Sequence, residues 1–164
     1  MPGFFITLEG TEGCGKSTLM GHLADRLKSD GHDVVQLREP GGTESGEEIR
    51  KILKHGPDNL TAEAELLLMN ASRAQLVREV IRPALLEGKV ILCDRFYDST
   101  TAYQGHGRGL DLSLVQSVIN LAVGNTIPDL TLFLEIPLDI SENASLNDLE
   151  VTDLNLANDH FLNV

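Results

Sequence analysis

The sequence has few cysteines, few aromatic residues and no long apolar run, and these shortages exclude several classes of protein. Its two cysteines, Cys14 and Cys93, are too few for a disulfide framework, which favours a reducing compartment. No apolar run reaches the roughly 20 residues of a membrane span. The N-terminus lacks the basic stretch and apolar core of an export signal. We therefore predict a cytoplasmic protein without a membrane segment.

Basic residues are absent from the last third of the chain. All 13 Lys and Arg lie at or before Arg108, and the formal net charge is -12. Nucleic acid is excluded as a partner, because its phosphates need clustered Lys or Arg.

The chain is 41% apolar, which suffices for one core. We predict one domain over residues 1–164, with a core over residues 1–137 and an acidic lid-like or irregular segment over residues 138–164.

Strand and helix patterns alternate along the chain, which predicts an α/β fold whose mostly parallel sheet carries helices on both faces. The predicted strands are residues 4–9, 34–38, 90–93 and 130–136. The predicted helices are residues 16–28, 45–54, 61–81 and 112–123. Thr61 is the predicted N-cap of the third helix, and Pro83 is expected to begin a new turn after it.

A phosphate-binding loop follows the first predicted strand. The sequence GTEGCGKST has glycines that let backbone amides curl around phosphate, a lysine for the β and γ phosphates, and a serine hydroxyl for a Mg²⁺ ion. It predicts a nucleoside triphosphate as ligand. Cys14 is interpreted as a small filler, with a redox-sensitive thiol as the alternative. The predicted phosphate-binding residues are Gly10, Thr11, Glu12, Gly13, Cys14, Gly15, Lys16, Ser17 and Thr18.

An acidic residue and an arginine come directly after the third predicted strand. Asp94 and Arg95 are expected at the carboxyl edge of the sheet, where open α/β sheets bind ligands. Asp94 can accept hydrogen bonds from metal-bound water, and the planar Arg95 guanidinium can bridge two phosphates. The alternative is a structural ion pair between these neighbours.

Five stretches of the chain resemble the thymidylate kinase family, and they come in the family's order. They are LEGTEGCGKST at 8–18, REPGGT at 38–43, AEAELLLMNASRAQLVREVIRPAL at 62–85, CDRFYDSTTAYQGHGRG at 93–109 and PDLTLFLEIP at 128–137. The resemblance implies a P-loop nucleoside-monophosphate-kinase-like fold. It also implies transfer of the γ-phosphoryl group of ATP to dTMP with Mg²⁺, by a homodimer whose catalytic residues are Lys16, Asp94 and Arg95.

The resemblance also implies a dTMP site. Arg73 falls on the family's base-binding arginine, Tyr103 on the tyrosine that favours deoxyribose, and Met69 where a phenylalanine usually stacks on thymine. The implied pocket residues are Glu12, Pro40, Met69, Arg73, Arg95, Thr100, Tyr103 and Gln104, and the implied metal ligands are Ser17 and, through water, Asp94. From the residues alone, Arg73 lies on an apolar helix stripe, where either a ligand or a buried glutamate can be its acceptor.

The chain departs from the family at the predicted lid. Gly13 stands where one branch of the family keeps a catalytic arginine, and the other branch supplies that arginine from the lid. Here Glu142, Asn147 and Leu154 align where the lid has basic residues. An arginine in this role is worth about 10³ to 10⁵ in rate, so we expect dTMP phosphorylation with an impaired catalytic step.

Two alternatives to this function stay open, and the resemblance leaves one structural expectation at the C-terminal end. The alternatives are a nucleotide-binding or dimerisation module without turnover and another deoxynucleotide or nucleoside kinase. The family places a last strand and a closing helix after the lid, and we expect both to be missing from these 164 residues.

Overall fold

The computed structural model describes residues 2–57 and 59–136, and this part of the chain forms four strands, six α-helices and two π-helical segments. The strands are β1 (Phe4–Gly10), β2 (Val34–Arg38), β3 (Val90–Asp94) and β4 (Leu130–Leu134). The α-helices are α1 (Lys16–Ser29), α2 (Glu44–His55), α3 (Ala62–Leu76), α4 (Arg82–Leu86), α5 (Tyr97–Thr100) and α6 (Leu112–Val123). The π-helical segments are Val77–Ile81, between α3 and α4, and Thr101–Gly107, directly after α5.

The four strands form one parallel sheet in the order β2-β3-β1-β4. Leu8 of β1 lies opposite Asp94 of β3, and Arg38 of β2 lies opposite the same aspartate. Gly10, the last residue of β1, lies opposite Leu134 of β4. The carboxyl ends of all four strands therefore meet at one edge, which confirms the predicted parallel α/β fold.

The core lies on both faces of the sheet. Side chains alternate between the faces along each strand, so neighbouring strand residues belong to different clusters. Phe5 and Ile91 pack with residues of α3 and α6 on one face. Ile6 and Leu92 pack with residues of α1 on the other. Helices therefore cover both faces, as predicted.

The third predicted helix starts where expected but continues further. The Thr61 hydroxyl accepts a hydrogen bond from the Ala64 N–H, which confirms Thr61 as the N-cap. The expected stop before Pro83 is wrong, because the helical path runs through the π-helical turn Val77–Ile81 into α4. Pro83 lies in the first turn of α4. A proline lacks a donor and crowds the preceding turn, and the wider π-helical turn accommodates it.

Other boundaries also differ from the prediction. Strand β4 ends at Leu134, two residues before the predicted end at Ile136. Helix α5 and the π-helical segment after it were not predicted. The lid positions Glu142, Asn147 and Leu154, and the rest of the acidic segment, lie outside the described residues. Of the helices that are described, each is too short or too polar to cross a bilayer.

Candidate active site

The loop between β1 and α1 has a backbone that depends on glycine. Gly10, Gly13 and Gly15 have φ angles of 141°, 76° and 88°, in the region that side chains disfavour. A Cβ atom on Gly10 would lie 2.4 Å from the Leu134 carbonyl oxygen, so β4 leaves no room for a larger residue. Gly15 is the N-cap of α1, and the helix begins at Lys16. The loop thus presents backbone amides at a helix N-terminus, which is the geometry that binds phosphate.

The Lys16 ammonium lies against this loop. Its Nζ atom donates to the Gly10 carbonyl at 3.1 Å and to the Thr11 carbonyl. Nζ also lies 3.4 Å from the Cys14 Sγ atom, and the lysine is 7% exposed. The positive charge is therefore held at the phosphate-binding concavity. Cys14 is buried in the same loop, where its sulfur contacts the ammonium.

The two predicted metal ligands are brought together from distant parts of the chain. The Ser17 hydroxyl at the start of α1 donates to Asp94 Oδ2 at the end of β3, at 3.1 Å. The metal-binding atom of each side chain is an oxygen, and oxygen is the ligand that Mg²⁺ prefers. The described residues contain no group of three or more His, Cys, Asp or Glu that could hold a metal. A hydroxyl and one carboxylate fit Mg²⁺, because this ion keeps several waters and takes the other ligands from nucleotide phosphates.

Arg95 has an unusual backbone conformation. Its φ angle is 70°, which for a residue other than glycine costs about 1–3 kcal/mol. Its N–H donates to the Leu8 carbonyl at 3.0 Å, so the turn begins as β3 leaves β1. Nη1 donates to Ser99 Oγ at 3.1 Å, and the guanidinium carbon lies 5.5 Å from the centre of the Tyr103 ring. In the described residues Arg95 makes no ion pair with Asp94, so the alternative of a structural pair between them is wrong.

Arg73 is fully buried, and a glutamate is its main acceptor. Its Nε atom donates to Glu39 Oε2 at 2.7 Å, and Nη2 lies 2.6 Å from the same oxygen. Nη1 donates to Asn70 Oδ1 at 3.0 Å, and Nη2 donates to the Phe96 carbonyl at 3.1 Å. Burial raises the pKa of Glu39 to about 7, although the Arg73 charge opposes this shift. The structure therefore shows the buried glutamate that the sequence left as one of two possibilities.

Four buried side-chain oxygens have no hydrogen-bond partner within the described residues: Thr11 Oγ1, Glu39 Oε1, Thr100 Oγ1 and Gln104 Oε1. The amide nitrogen of Gln104 donates to Glu65 at 2.6 Å, so its oxygen points elsewhere. An unpaired buried polar group costs about 1–3 kcal/mol, and folded proteins contain few of them. Such atoms are typical of a site that pairs with a polar ligand.

Three other residues predicted for the pocket lie in different elements: Pro40 in the turn after β2, Met69 in α3 and Tyr103 in the π-helical segment Thr101–Gly107. Pro40 follows Glu39 through a cis peptide bond, and its carbonyl accepts from Arg50 at 2.7 Å. Met69 is half-buried on α3, one helical turn before Arg73. Tyr103 is 48% exposed.

The sequence interpretation missed two buried carboxylates, Glu9 and Glu39, and the serine at position 99. Glu9 is 4% exposed and accepts from the Phe96 N–H and the Ser99 hydroxyl. Burial raises the pKa of Glu9, while these two hydrogen bonds oppose the shift. A signal was present, because each glutamate stands at the end of a strand and just before a glycine or proline turn.

The comparisons with known proteins agree on one family. The family model described as thymidylate kinase matches residues 8–148. A thymidylate kinase of Chlorobium luteolum is 55% identical over 131 residues, which are 80% of this chain and 61% of that protein. One of Syntrophotalea carbinolica is 58% identical over 138 residues, which are 83% of this chain and 63% of that protein. A crystal structure of thymidylate kinase from Ehrlichia chaffeensis superposes with a TM-score of 0.79 at 36% identity, covering 88% of this chain and 82% of that one. The chain thus spans less than two thirds of the length of the first two relatives.

Proposed function

This chain belongs to the thymidylate kinase family, and on that premise we propose that it transfers the γ-phosphoryl group of ATP to dTMP, which gives ADP and dTDP. The observation that carries the proposal is the contact between Ser17 and Asp94 at 3.1 Å. It joins the phosphate-binding loop to the end of β3, directly beside Arg95. Donor and acceptor phosphates would therefore meet at this edge of the sheet.

In this proposal the loop binds ATP and its metal. The amides of residues 10–18 and the Lys16 ammonium hold the phosphates, because both concentrate positive charge in one concavity. Ser17 Oγ and, through water, Asp94 would hold Mg²⁺, since the two side chains lie together. The ion supplies neutralisation of the phosphate charge. Asp94 would fix the ion's water, and Ser17 would fix its position relative to the loop.

The acceptor dTMP would lie on the other side of Arg95. The Arg95 guanidinium would bind its phosphate, since a planar fork of donors matches two phosphate oxygens. Tyr103, against which Arg95 lies, would contact the sugar. Glu12 would face the sugar hydroxyl, and Pro40 would form a wall of the pocket.

The thymine base would occupy the region around Arg73. Glu39, the partner of Arg73, has one buried oxygen without a partner within the described residues, and this supports the placement, because a base edge offers donors as well as acceptors. Thr100 and Gln104, which the family resemblance assigns to the pocket, also have such oxygens. Arg73 would share its guanidinium between the base and Glu39. Met69 would pack on the ring with less rigidity than a phenylalanine, so base affinity is modestly lower.

We further propose that residues 1–164 form one domain of an enzyme that works in the cytoplasm as a homodimer, with a slow chemical step. Residues 138–164, where the lid is expected, contain no Lys or Arg, and Gly13 occupies the loop position that in one branch of the family carries an arginine. An arginine at the transferred phosphoryl group is worth about 10³ to 10⁵ in rate. The expected activity is therefore low, while both nucleotides still bind.

A coupled assay of ADP release with dTMP tests this function, with calorimetry of ATP and dTMP binding alongside it. We expect binding of both nucleotides, slow turnover with dTMP and weaker responses to dUMP and dCMP. Leu154→Arg should raise the rate, because it adds a cation at the expected lid position. Binding of both nucleotides without any ADP would identify a module without turnover. Absence of dTMP binding would contradict the proposed function itself.

A further inference from the structure

We propose that Glu9 and Ser99 are positioning residues that orient the Arg95 guanidinium toward the phosphate of the acceptor nucleotide. The inference rests on the proposed function for the phosphate-binding role of Arg95. The hydrogen bonds that link the three side chains are present in the structure. They run from the central strand β1 to the turn after β3.

The first member of this chain is the buried carboxylate of Glu9. Its Oε1 atom accepts from the Phe96 N–H at 2.7 Å, and its Oε2 atom accepts from the Ser99 hydroxyl at 2.6 Å. An ionised carboxylate can only accept, and a serine hydroxyl has a single proton. The proton of Ser99 is therefore committed to Glu9. The bond to Phe96 fixes the carboxylate itself, since that donor belongs to the backbone.

The second member, Ser99, then faces Arg95 with its lone pairs. Arg95 Nη1 lies 3.1 Å from Ser99 Oγ and donates to it. A hydroxyl that donates to a carboxylate is polarised and becomes a better acceptor for the next donor. Glu9 thus sets the direction of the Ser99 proton, and Ser99 in turn holds one end of the guanidinium.

Arg95 needs such support because its side chain is long and has many rotamers. Its backbone is fixed by the turn at φ 70°, but that alone does not orient the guanidinium. Arg95 also contacts Tyr103, which is 48% exposed and whose hydroxyl oxygen lies 3.5 Å from Nη1. Ser99 is 5% exposed and is the firmer contact. An arginine ordered before the ligand arrives loses less entropy on binding, which favours affinity for the phosphate.

The test compares dTMP with thymidine, which lacks the phosphate, as ligands of the 164-residue chain in calorimetry. Ser99→Ala removes the acceptor of Arg95. We expect the affinity for dTMP to fall about 10-fold and that for thymidine to change by less than about two-fold, because only the phosphate would contact the Arg95 guanidinium that Ser99 no longer orients. Ser99→Thr keeps the hydroxyl and should restore the affinity for dTMP. Ser117→Ala, an exposed serine of α6, is the matched control and should change neither affinity.

Glu9→Gln gives a second test that preserves the shape of the side chain. Its amide group donates where one carboxylate oxygen accepts. When its oxygen stays on the Phe96 N–H, the amide donates to Ser99, and the hydroxyl proton turns toward Arg95. We expect the affinity for dTMP to fall as it does in Ser99→Ala, while the affinity for thymidine again stays nearly unchanged. Combined with Ser99→Ala, Glu9→Gln should add no further selective loss, since both changes act through one path.

The outcomes separate this inference from the proposed function. A wild-type chain that binds neither ligand contradicts the proposed function, and the inference falls with it. A wild-type chain that prefers dTMP, together with Ser99→Ala and Glu9→Gln variants that keep the same preference, overturns the inference alone. Equal losses for dTMP and thymidine would also overturn it, because they indicate a structural role. Circular dichroism establishes that each variant folds. If Ser99→Ala does not fold, the ratio of the affinities for dTMP and thymidine in Glu9→Gln decides.

Discussion

Arg73 and Glu39 form an ion pair in the interior of the protein, with Nη2 and Oε2 2.6 Å apart and side chains that are 0% and 2% exposed. The pair joins α3 to the turn after β2. Asn70 and the Phe96 carbonyl accept further hydrogen bonds from the same guanidinium. A buried charge is tolerated when it is paired and hydrogen-bonded, and it becomes costly when its partner is removed.

Glu39→Ala should destabilise the protein by about 3–5 kcal/mol, because it leaves the buried Arg73 guanidinium without its countercharge. The measurement is the free energy of unfolding in urea at pH 7.5. Asp30→Ala is the control: it breaks the ion pair of Asp30 with Arg26, whose side chains are 47% and 76% exposed. That loss should stay below about 1 kcal/mol. Equal effects of the two variants would mean that burial does not decide the value of the Arg73 pair.

The same glutamate should make stability depend on pH. Burial raises the pKa of Glu39 from 4.5 to about 7 in the folded state, so between these values the folded protein binds more protons than the unfolded chain. Stability from this group is therefore fully present below about pH 4.5 and is lost as the pH rises toward 7. Glu39→Gln removes the titration. The unfolding free energy of the wild type minus that of Glu39→Gln should fall from pH 5 to pH 7.5. A difference that stays constant or rises would contradict the raised pKa.

The regular elements could be predicted because their signals are local. The Thr61 cap, the glycines of the phosphate-binding loop and the apolar strand before Asp94 are each visible within a few residues of sequence. The partners of Glu9 could not be predicted in this way, since Phe96 lies 87 positions away and meets Glu9 only when β1 pairs with β3. The π-helical turn before Pro83 was also not predicted, because a segment of five residues is too short to show a period of its own.

The acceptor of Arg73, for which the sequence left a ligand and a glutamate as possibilities, could not be predicted for the same reason. An arginine on an apolar stripe predicts that an acceptor exists, but it does not say which one. Glu39 becomes that acceptor because the turn after β2 brings it beside α3, 34 positions along the chain. The sequence could therefore indicate that Arg73 has an acceptor, whereas the identity of that acceptor needed the fold.

Gly10→Ala should weaken both folding and phosphate binding. The added Cβ would lie 2.4 Å from the Leu134 carbonyl oxygen, and the φ angle of 141° is one that side chains rarely adopt. We expect a loss of about 2 kcal/mol or more in the free energy of unfolding. Gly21→Ala is the matched control, because Gly21 lies inside α1 and an added Cβ meets nothing within 4 Å. Alanine there should stabilise the helix by about 0.5–1 kcal/mol. Urea unfolding of both variants checks that the free energy of unfolding falls in Gly10→Ala and rises in Gly21→Ala. An unchanged free energy in Gly10→Ala would contradict the close approach of β4.

Ser17→Ala should weaken ATP binding in the presence of Mg²⁺ much more than in its absence. The hydroxyl is placed beside Asp94 by a bond of 3.1 Å, and we propose that it contacts the ion while the loop amides and Lys16 contact the phosphates. Loss of one metal contact should lower the affinity for Mg²⁺-ATP about 10-fold to 100-fold, the range seen when groups around a metal are removed. Affinity for ATP measured with a chelator should stay within about three-fold, because the charge and backbone contacts remain. Thr18→Ala changes the next exposed residue of α1 and provides the control, which should affect both conditions alike. Equal losses with and without Mg²⁺ would show that Ser17 supports the loop itself and does not hold the metal.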